Sequence, residues 1–240
     1  MSKAIAYSLF GYERERAASC FDFNSYLRGL MLCLRFNRLI YPGWVNVLET
    51  DNVTFNAFAN LFTPLIDRNI LRVEKNINGT ALCDAMLWRL KPVFWQDKEH
   101  KWEFSHVLCR DLDSPATYRE AQAVQVWIDH DKAIHAITDS VSHDVPMLGG
   151  MIGFRPDYFP ERMNVSNYSE LRAMCTTDLS VKGSDQVFLN QVVYPRFAEK
   201  GKDSITQHYF NGYGKTWLGD WHTCGCSPPM GHAENCPNNH

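Results

Sequence analysis

The chain has 240 residues and a mass of 27.7 kDa, which suits one α/β domain with a sizeable hydrophobic core. Its ordinary globular composition, with 45% hydrophobic and 21% charged residues, excludes wholesale disorder. The 24 Lys and Arg against 27 Asp and Glu give a formal net charge of -3, so charge does not support non-specific nucleic-acid binding. No apolar run approaches the ~18 residues of a membrane span, and the N-terminus carries no cleavage signature, so we expect a mature chain without such a span.

Hydrophobic periodicity predicts strands that alternate with helices along the chain. In chain order, we predict strand 3–10, helix 23–37, a turn at 41–44, strand 45–48, helix 54–68, strand 70–73, helix 81–90, strand 103–109, helix 117–128, strand 133–138, helix 184–194 and strand 205–210. This alternation is typical of an α/β fold with a mostly parallel central sheet flanked by helices. Because no repeat or linker divides the chain, we expect one domain over 1–220 and a Cys/His-rich tail over 221–240.

The eight cysteines are divided between the body of the chain and its tail. Five lie scattered in the body, and such cysteines without a secretory signal indicate a reducing, cytoplasmic compartment. The other three lie in the tail beside histidines, and thiolate together with imidazole is a zinc-binding combination. The candidate ligands of a structural Zn²⁺ are Cys224, Cys226, His232 and Cys236. The alternative is a mobile or packed tail without metal.

The sharpest local motif is Asp111-x-Asp113, which follows the predicted strand 103–109. Residues two apart in an extended segment point to the same side, so the two carboxylates can converge on one hard cation. Ligands of open α/β sheets bind beyond the carboxyl ends of strands, and a cation held by two carboxylates keeps positions for substrate phosphates. Mn²⁺ or Mg²⁺ suits such oxygen ligands. The alternative is a polar loop in which Asp113 or Ser114 caps the next helix.

Three further features have both a structural and a functional interpretation. The guanidinium of Arg110 suits bidentate phosphate recognition, or it pairs internally with neighbouring acids. The glycines of segment 149–153 permit close backbone approach to a sugar or acceptor, or they form a flexible turn. Asp185 at the start of a predicted helix either holds a sugar or complements the helix dipole.

Several segments resemble, in the same order, a group of small glycosyltransferase-like proteins. They are RDLDS (110–114), YREAQAVQVWI (118–128), IHAITDSVSHDVPMLGGMIG (134–153) and SDQVFLNQVVYP (184–195), together with Tyr41-Pro42-Gly43-Trp44 and Trp88-Arg89. The segment HYFNGYGKTW (208–217) is similar to the H-x-x-G-x-x-K-x-W turn of glycogenin-like and bacterial lipopolysaccharide galactosyltransferases, with one extra residue between His208 and Gly212. The resemblance spans residues 4–217 and implies a GT-A fold, in which a Rossmann-like nucleotide-binding half is joined to an acceptor-binding half.

The resemblance also implies roles for individual residues. Asp111, Asp113 and His208 would ligate Mn²⁺ or Mg²⁺, which neutralises a departing diphosphate as a Lewis acid. The implied donor-binding residues are Tyr7, Ser8, Phe10, Arg110, Gly149, Gly150, Gly212 and Lys215. The candidate catalytic residues beside the transferred sugar are Asp185, Gln186 and Asp139.

The resemblance implies an enzyme that moves a sugar from a nucleotide-sugar donor to a glycan, lipid-linked or other hydroxyl acceptor. Its His-Gly-Lys turn is similar to that of retaining enzymes, so we expect retention of the anomeric configuration. A modified DNA base is an alternative acceptor, although the acidic balance of the chain does not favour DNA. A second alternative is a non-catalytic protein that binds nucleotide sugars or carbohydrate on the same scaffold.

Overall fold

The computed structural model of the chain describes residues 1–12, 23–77, 81–138, 145–198 and 205–209. Its strands are β1 (Ser2–Leu9), β2 (Val45–Asp51), β3 (Arg72–Asn76), β4 (Phe104–Arg110), β5 (Ile134–Thr138), β6 (Met151–Phe154) and β7 (Ile205–Tyr209). Within these residues they form one seven-stranded sheet in the order β3-β2-β1-β4-β6-β5-β7, and β6 alone runs antiparallel to the others. The predicted α/β fold with a mostly parallel sheet flanked by helices is confirmed.

The helices cover both faces of this sheet. Those before β4 are α1 (Phe23–Ile40), α2 (Asn52–Ala57), α3 (Ala59–Asp67), α4 (Leu82–Met86) and a 3-10 helix (Leu87–Phe94). Those after β4 are α5 (Tyr118–Asp129), α6 (Phe159–Met163), α7 (Tyr168–Ala173), α8 (Ser184–Phe188), a π-helical segment (Leu189–Val193) and α9 (Tyr194–Ala198). Among the described helices, none is both long and apolar enough to cross a membrane.

Alternate side chains of β1 enter two separate cores. Ala4 and Ala6 pack in the core that contains Leu87 of the 3-10 helix. Ile5 packs in the core that contains Leu30 of α1. Burial of both faces explains why the parallel strands are continuous apolar runs in the sequence.

The helix predicted over 54–68 is two helices, α2 and α3. The carboxylate of Asp51 caps α2 by accepting the Thr54 N–H at 2.7 Å. Phe58 leaves the helical conformation between α2 and α3, with φ -118° and ψ 22°. Its ring stacks on Phe23 of α1 at a centroid distance of 5.3 Å, so aromatic packing accompanies the break in the helix.

Two other predicted helices contain turns of different winding. The segment 81–90 begins as α4 and continues as the 3-10 helix, which includes Pro92. Proline lacks an N–H and disfavours α geometry at the preceding residue, so a regular α-helix does not continue there. The segment 184–194 contains the π-helical turns of Leu189–Val193, which interrupt regular α winding.

A flexible turn over 149–153, one of the two interpretations of its glycines, is observed only at Gly149 and Gly150, because Met151–Phe154 forms β6. A Cβ atom on Gly153 would lie 2.8 Å from ring atoms of Trp127. The glycine is therefore required where an indole ring lies against the strand, and its presence hides the strand in the sequence.

Candidate functional site

A cleft opens at the carboxyl ends of β1 and β4, where open α/β sheets bind their ligands. Its volume is about 460 Å³, including the space open to solvent at its mouth. The residues that line it come from these strand ends, α1, α4 and the 3-10 helix: Ser8, Leu9, Phe10, Tyr26, Leu82, Met86, Arg89, Asp111 and Leu112. Three of the residues predicted from the sequence, Ser8, Phe10 and Asp111, therefore line one cavity.

The guanidinium of Arg89 is the central charge of this cleft, and the residue is only 4% exposed. Its Nη1 donates to Oδ1 of Asp111, and its Nη2 lies 3.5 Å from Oδ2 of Asp185, which is 1% exposed. Its backbone N–H donates to Oγ of Ser8 at 3.1 Å. No role for Arg89 is predicted from the sequence, although Trp88-Arg89 is one of the segments that carry the family resemblance.

The Gly149-Gly150 turn closely approaches the side chains of Asp111, Arg89 and Gln186. A Cβ atom on Gly150 would lie 1.9 Å from Oδ2 of Asp111, and one on Gly149 would lie 2.3 Å from Nη2 of Arg89. The N–H of Gly149 donates to Oε1 of Gln186 at 3.2 Å. The immediate neighbours of this turn are protein side chains, and the predicted approach of its backbone to a sugar or acceptor stays a prediction.

Helix α8 places Asp185 beside Arg89 and Gln186 beside the Gly149-Gly150 turn. The turn before β6 is tied to this helix by Asn190, whose Nδ2 donates to the carbonyls of Gln186 and Met147, both at 2.8 Å. The Oδ1 atom of Asn190 accepts the Met147 N–H at 2.9 Å. Asn190 belongs to the π-helical segment, and π turns are frequent at functional sites.

Asp111 and Asp113 lie close enough for their charges to interact. Burial, followed by the charge of Asp111, raises the pKa of Asp113 to about 6. Two neighbouring carboxylates supply the kind of oxygen ligand that a divalent cation prefers. The described residues contain no cluster of three candidate metal ligands. The predicted third ligand, His208, belongs to β7, and its side chain lies outside the described residues.

The loop that carries these aspartates rests on α1. A Cβ atom on Gly29 would lie 2.1 Å from the carbonyl oxygen of Leu112, so the helix backbone and the loop backbone are in direct contact. The thiol of Cys33 donates to the same carbonyl at 3.5 Å. Burial, followed by the charges of Asp113 and Asp111, raises the pKa of Tyr26, so its phenol also lies in the field of both carboxylates.

Two predicted donor-binding residues, Arg110 and Tyr7, are not brought to the cleft. Their side chains lie in the core under α1, on the sheet face opposite Asp111. Arg110 Nη2 pairs with Oε2 of Glu120 at 2.9 Å, and the Tyr7 hydroxyl accepts from Nδ2 of Asn37 at 2.7 Å. Internal pairing, one of the two interpretations of Arg110, is therefore observed, with Glu120 as the partner.

Part of the predicted site falls outside the described residues. This part consists of Asp139, Gly212, Lys215 and the four candidate zinc ligands Cys224, Cys226, His232 and Cys236. Their predicted roles stay predictions.

No protein-family model and no curated protein matches the sequence. The fold is similar to 4-diphosphocytidyl-2C-methyl-D-erythritol synthase from Anaerococcus prevotii, with a TM-score of 0.50, 8% identity and 90% of each chain covered. It is also similar to CMP:2-keto-3-deoxy-manno-octonic acid synthetase in complex with CTP, with a TM-score of 0.52, 11% identity, and 87% of this chain and 90% of that chain covered. At such low identity these similarities show the fold alone, a Rossmann-like α/β fold.

Proposed function

We propose that the chain is a metal-dependent glycosyltransferase, which moves a sugar from a nucleotide-sugar donor to a hydroxyl group of an acceptor. The observation that carries the proposal is the meeting of three motif segments around Arg89, which lines the cleft. They contribute Asp111, the Gly149-Gly150 turn and the Asp185-Gln186 pair. The cleft lies at the carboxyl edge of the sheet, where a nucleotide-binding α/β fold takes its ligand.

Asp111 and Asp113 are the residues that would hold Mn²⁺ or Mg²⁺ together with phosphate oxygens of the donor. When bound, the cation supplies Lewis-acid neutralisation of the charge on the departing nucleoside diphosphate. Arg89 orients Asp111 by engaging its Oδ1, which leaves Oδ2 beside the Gly150 backbone as the second oxygen. Arg89 is therefore a positioning residue in this proposal.

Asp185 and Gln186 are proposed to bind the transferred sugar. The carboxylate of Asp185 accepts hydrogen bonds from sugar hydroxyls, and Arg89 balances its charge. The Gly149 N–H occupies Oε1 of Gln186, so the amide is oriented with Nε2 as its donor. If the configuration is retained, a phosphate oxygen of the leaving group accepts the acceptor's proton and no dedicated general base is needed. An inverting enzyme would require a carboxylate base instead.

Thermal unfolding with nucleoside diphosphates tests donor binding. In the presence of Mn²⁺, the diphosphate of the correct base at about 100 times its Kd should add about 2.7 kcal/mol and raise the Tm. Asp113→Asn should abolish the rise. Asp129→Asn, which removes an exposed carboxylate that accepts from Gln125 on α5, should retain it. Absence of a rise with every base in the wild-type chain would contradict the proposal.

Transfer itself is tested with labelled nucleotide sugars and three acceptor classes, namely glycans, lipid-linked sugars and oligonucleotides with modified bases. We expect label in one acceptor class and release of a nucleoside diphosphate. The NMR coupling constant of the anomeric proton then distinguishes retention from inversion. Donor binding without hydrolysis or transfer would favour the non-catalytic alternative.

A second candidate function is nucleotidyl transfer, in which a sugar hydroxyl or phosphate attacks the α-phosphate of a nucleoside triphosphate and pyrophosphate leaves. The observation that favours it is the fold similarity to a synthetase solved with CTP. The released product separates the two functions. Pyrophosphate from CTP and a sugar acid indicates nucleotidyl transfer, whereas a nucleoside diphosphate from a nucleotide sugar indicates glycosyl transfer.

A further inference from the structure

Helix α1 has an unusual distribution of charge. Its 18 residues include three arginines, Arg28, Arg35 and Arg38, and no aspartate or glutamate. The chain as a whole is acidic, with a formal net charge of -3, so this positive charge is a local feature. All three arginines lie on the exposed side of the helix, while the opposite side packs on the sheet.

The same outer side of α1 exposes large apolar residues. Leu39 is 63% exposed and Phe36 is 40% exposed, and Met31 is also exposed. Residues four apart are neighbours on a helix, so Met31, Arg35 and Leu39 form one row and Arg28 and Phe36 belong to the next. Apolar and basic side chains therefore alternate over one continuous surface, which we call the outer face of α1.

We propose that the outer face of α1 binds the surface of an anionic lipid bilayer. Apolar side chains on such a helix enter the boundary between headgroups and acyl chains, and arginines contact lipid phosphates while their stems lie along apolar surface. Each arginine near an anionic leaflet strengthens binding about fivefold. Three arginines in 18 residues suit a helix that lies on the membrane, not one that crosses it.

The shape and charge of this face favour a bilayer over a protein partner. A protein that recognises an amphipathic helix encloses its apolar side in a groove, but the inner apolar side of α1 is already buried against the sheet. What α1 leaves exposed is a convex surface of mixed basic and apolar residues. Phospholipid headgroups offer the broad negative plane that such a surface complements.

The position of α1 links this surface to the cleft. Tyr26 lines the cleft, and Gly29 lies against the backbone of Leu112 between the two aspartates. A bilayer held against the outer face of α1 would therefore contact the same helix whose N-terminal half reaches the cleft. If the proposed glycosyl transfer is correct, this placement favours a lipid-linked acceptor over a soluble one, and this last step rests on the proposed function.

Co-sedimentation of the full chain with vesicles tests the membrane proposal without donor, metal or acceptor. We expect binding to phosphatidylcholine vesicles that contain phosphatidylglycerol, weak binding to phosphatidylcholine alone, and loss of binding in high salt. The double charge reversal Arg35→Glu/Arg38→Glu should lower the partition coefficient about tenfold or more. Phe36→Ser/Leu39→Ser should also lower it, because apolar contact is removed.

The matched control is Lys98→Glu/Lys101→Glu, which reverses two exposed charges on the hairpin before β4 and should leave vesicle binding intact. Unchanged Tm values establish that each variant is folded. The proposal is overturned if the wild-type chain ignores anionic vesicles, or if the α1 and control variants lose binding equally. It is also overturned if light scattering shows a dimer that the α1 variants dissociate while vesicles do not bind. Transfer to a water-soluble acceptor is measured separately, so failure of membrane binding is distinguishable from failure of the proposed activity.

Discussion

Arg89 is a buried cation that pairs with two carboxylates, those of Asp111 and Asp185. Replacement by alanine would leave Asp185, which is 1% exposed, without its positive partner. Because an unpaired buried charge is costly, we expect Arg89→Ala to lower the free energy of unfolding by about 3 kcal/mol in urea titrations. Lys101→Ala removes an exposed ion pair with Glu99 and should cost less than about 1 kcal/mol. Equal effects of the two substitutions would contradict the central position of Arg89.

Gly150 is required for space, since its missing side chain leaves room for Asp111. Its φ is not in the left-handed region, so alanine would be resisted only by the 1.9 Å approach of the new Cβ to Oδ2 of Asp111. We expect Gly150→Ala to abolish stabilisation by nucleoside diphosphate and Mn²⁺ and to cost about 1–3 kcal/mol in stability. Gly43→Ala provides the control, because open space surrounds Gly43 and only its φ of +82° is strained. This variant should lose about 1 kcal/mol and keep nucleotide binding.

At the scale of elements, the contact between α1 and the loop after β4 gives a prediction whose sign is diagnostic. Glycine to alanine within a helix normally stabilises by about 1 kcal/mol. At Gly29 the new Cβ would lie 2.1 Å from the carbonyl oxygen of Leu112. The contact joins the backbone of the helix to the backbone of the loop, and neither can move aside as easily as the end of a flexible side chain. We therefore expect Gly29→Ala to lower stability by about 1–3 kcal/mol in chemical denaturation. A stabilised variant would show that helix and loop separate freely.

The elements that the sequence predicted well are those with a long periodic signal. The strand predicted over 103–109 is β4, and the helix over 23–37 is α1 with one more turn. The strand predicted over 70–73 lies two residues later, as β3, after a positive φ at Asn69. Three of the four residues of β6 lie in the segment 149–153, which was interpreted as a ligand-approaching loop or a flexible turn, because a short strand with a glycine has no alternation to detect. Tertiary packing, such as the stacking of Phe58 on Phe23, also cannot be predicted from a local sequence pattern.

The motifs of the candidate site could be predicted from the sequence, but the pairing of its charged side chains could not. Spacing placed Asp111 at a strand end, and resemblance directed attention to Asp185. Neighbours in an extended strand face opposite sides of a sheet, so only one of Arg110 and Asp111 can face the ligand. The sequence does not say which side is covered by the 3-10 helix that carries Arg89. The cationic partner of the aspartates therefore comes from Arg89, and Arg110 pairs with Glu120 in the core.

At the scale of the whole molecule, the buried groups Glu49 and His106 lie on opposite faces of the sheet, and their pKa values are shifted in opposite directions. Burial raises the pKa of Glu49 to about 7, although Asn76 donates to it at 2.8 Å and Lys91 lies 3.9 Å away. Burial, followed by the charges of Arg155 and Lys3, lowers the pKa of His106 to about 4. The stability of the chain in mildly acidic solution is therefore a balance between the two groups.

The direction of each contribution follows from the protons bound by the folded and unfolded states. Between pH 4.5 and 7, folded Glu49 binds more protons than unfolded Glu49, so its contribution to stability falls as pH rises. Between pH 4 and 6.5, the unfolded state protonates His106 more readily than the folded state. The contribution of His106 is therefore complete above pH 6.5 and is lost as pH falls.

Glu49→Gln separates these contributions, because glutamine keeps an oxygen that accepts from Asn76 but cannot ionise. The free energy of unfolding of this variant relative to the wild type should rise steadily from pH 4.5 to 7 in urea titrations. His106→Phe preserves a ring against Trp127 and provides the comparison of opposite sign. Its free energy of unfolding relative to the wild type should rise as pH falls from 6.5 to 4. A difference that is independent of pH would show that the group ionises in the folded chain as it does in water, and would contradict the shifted pKa.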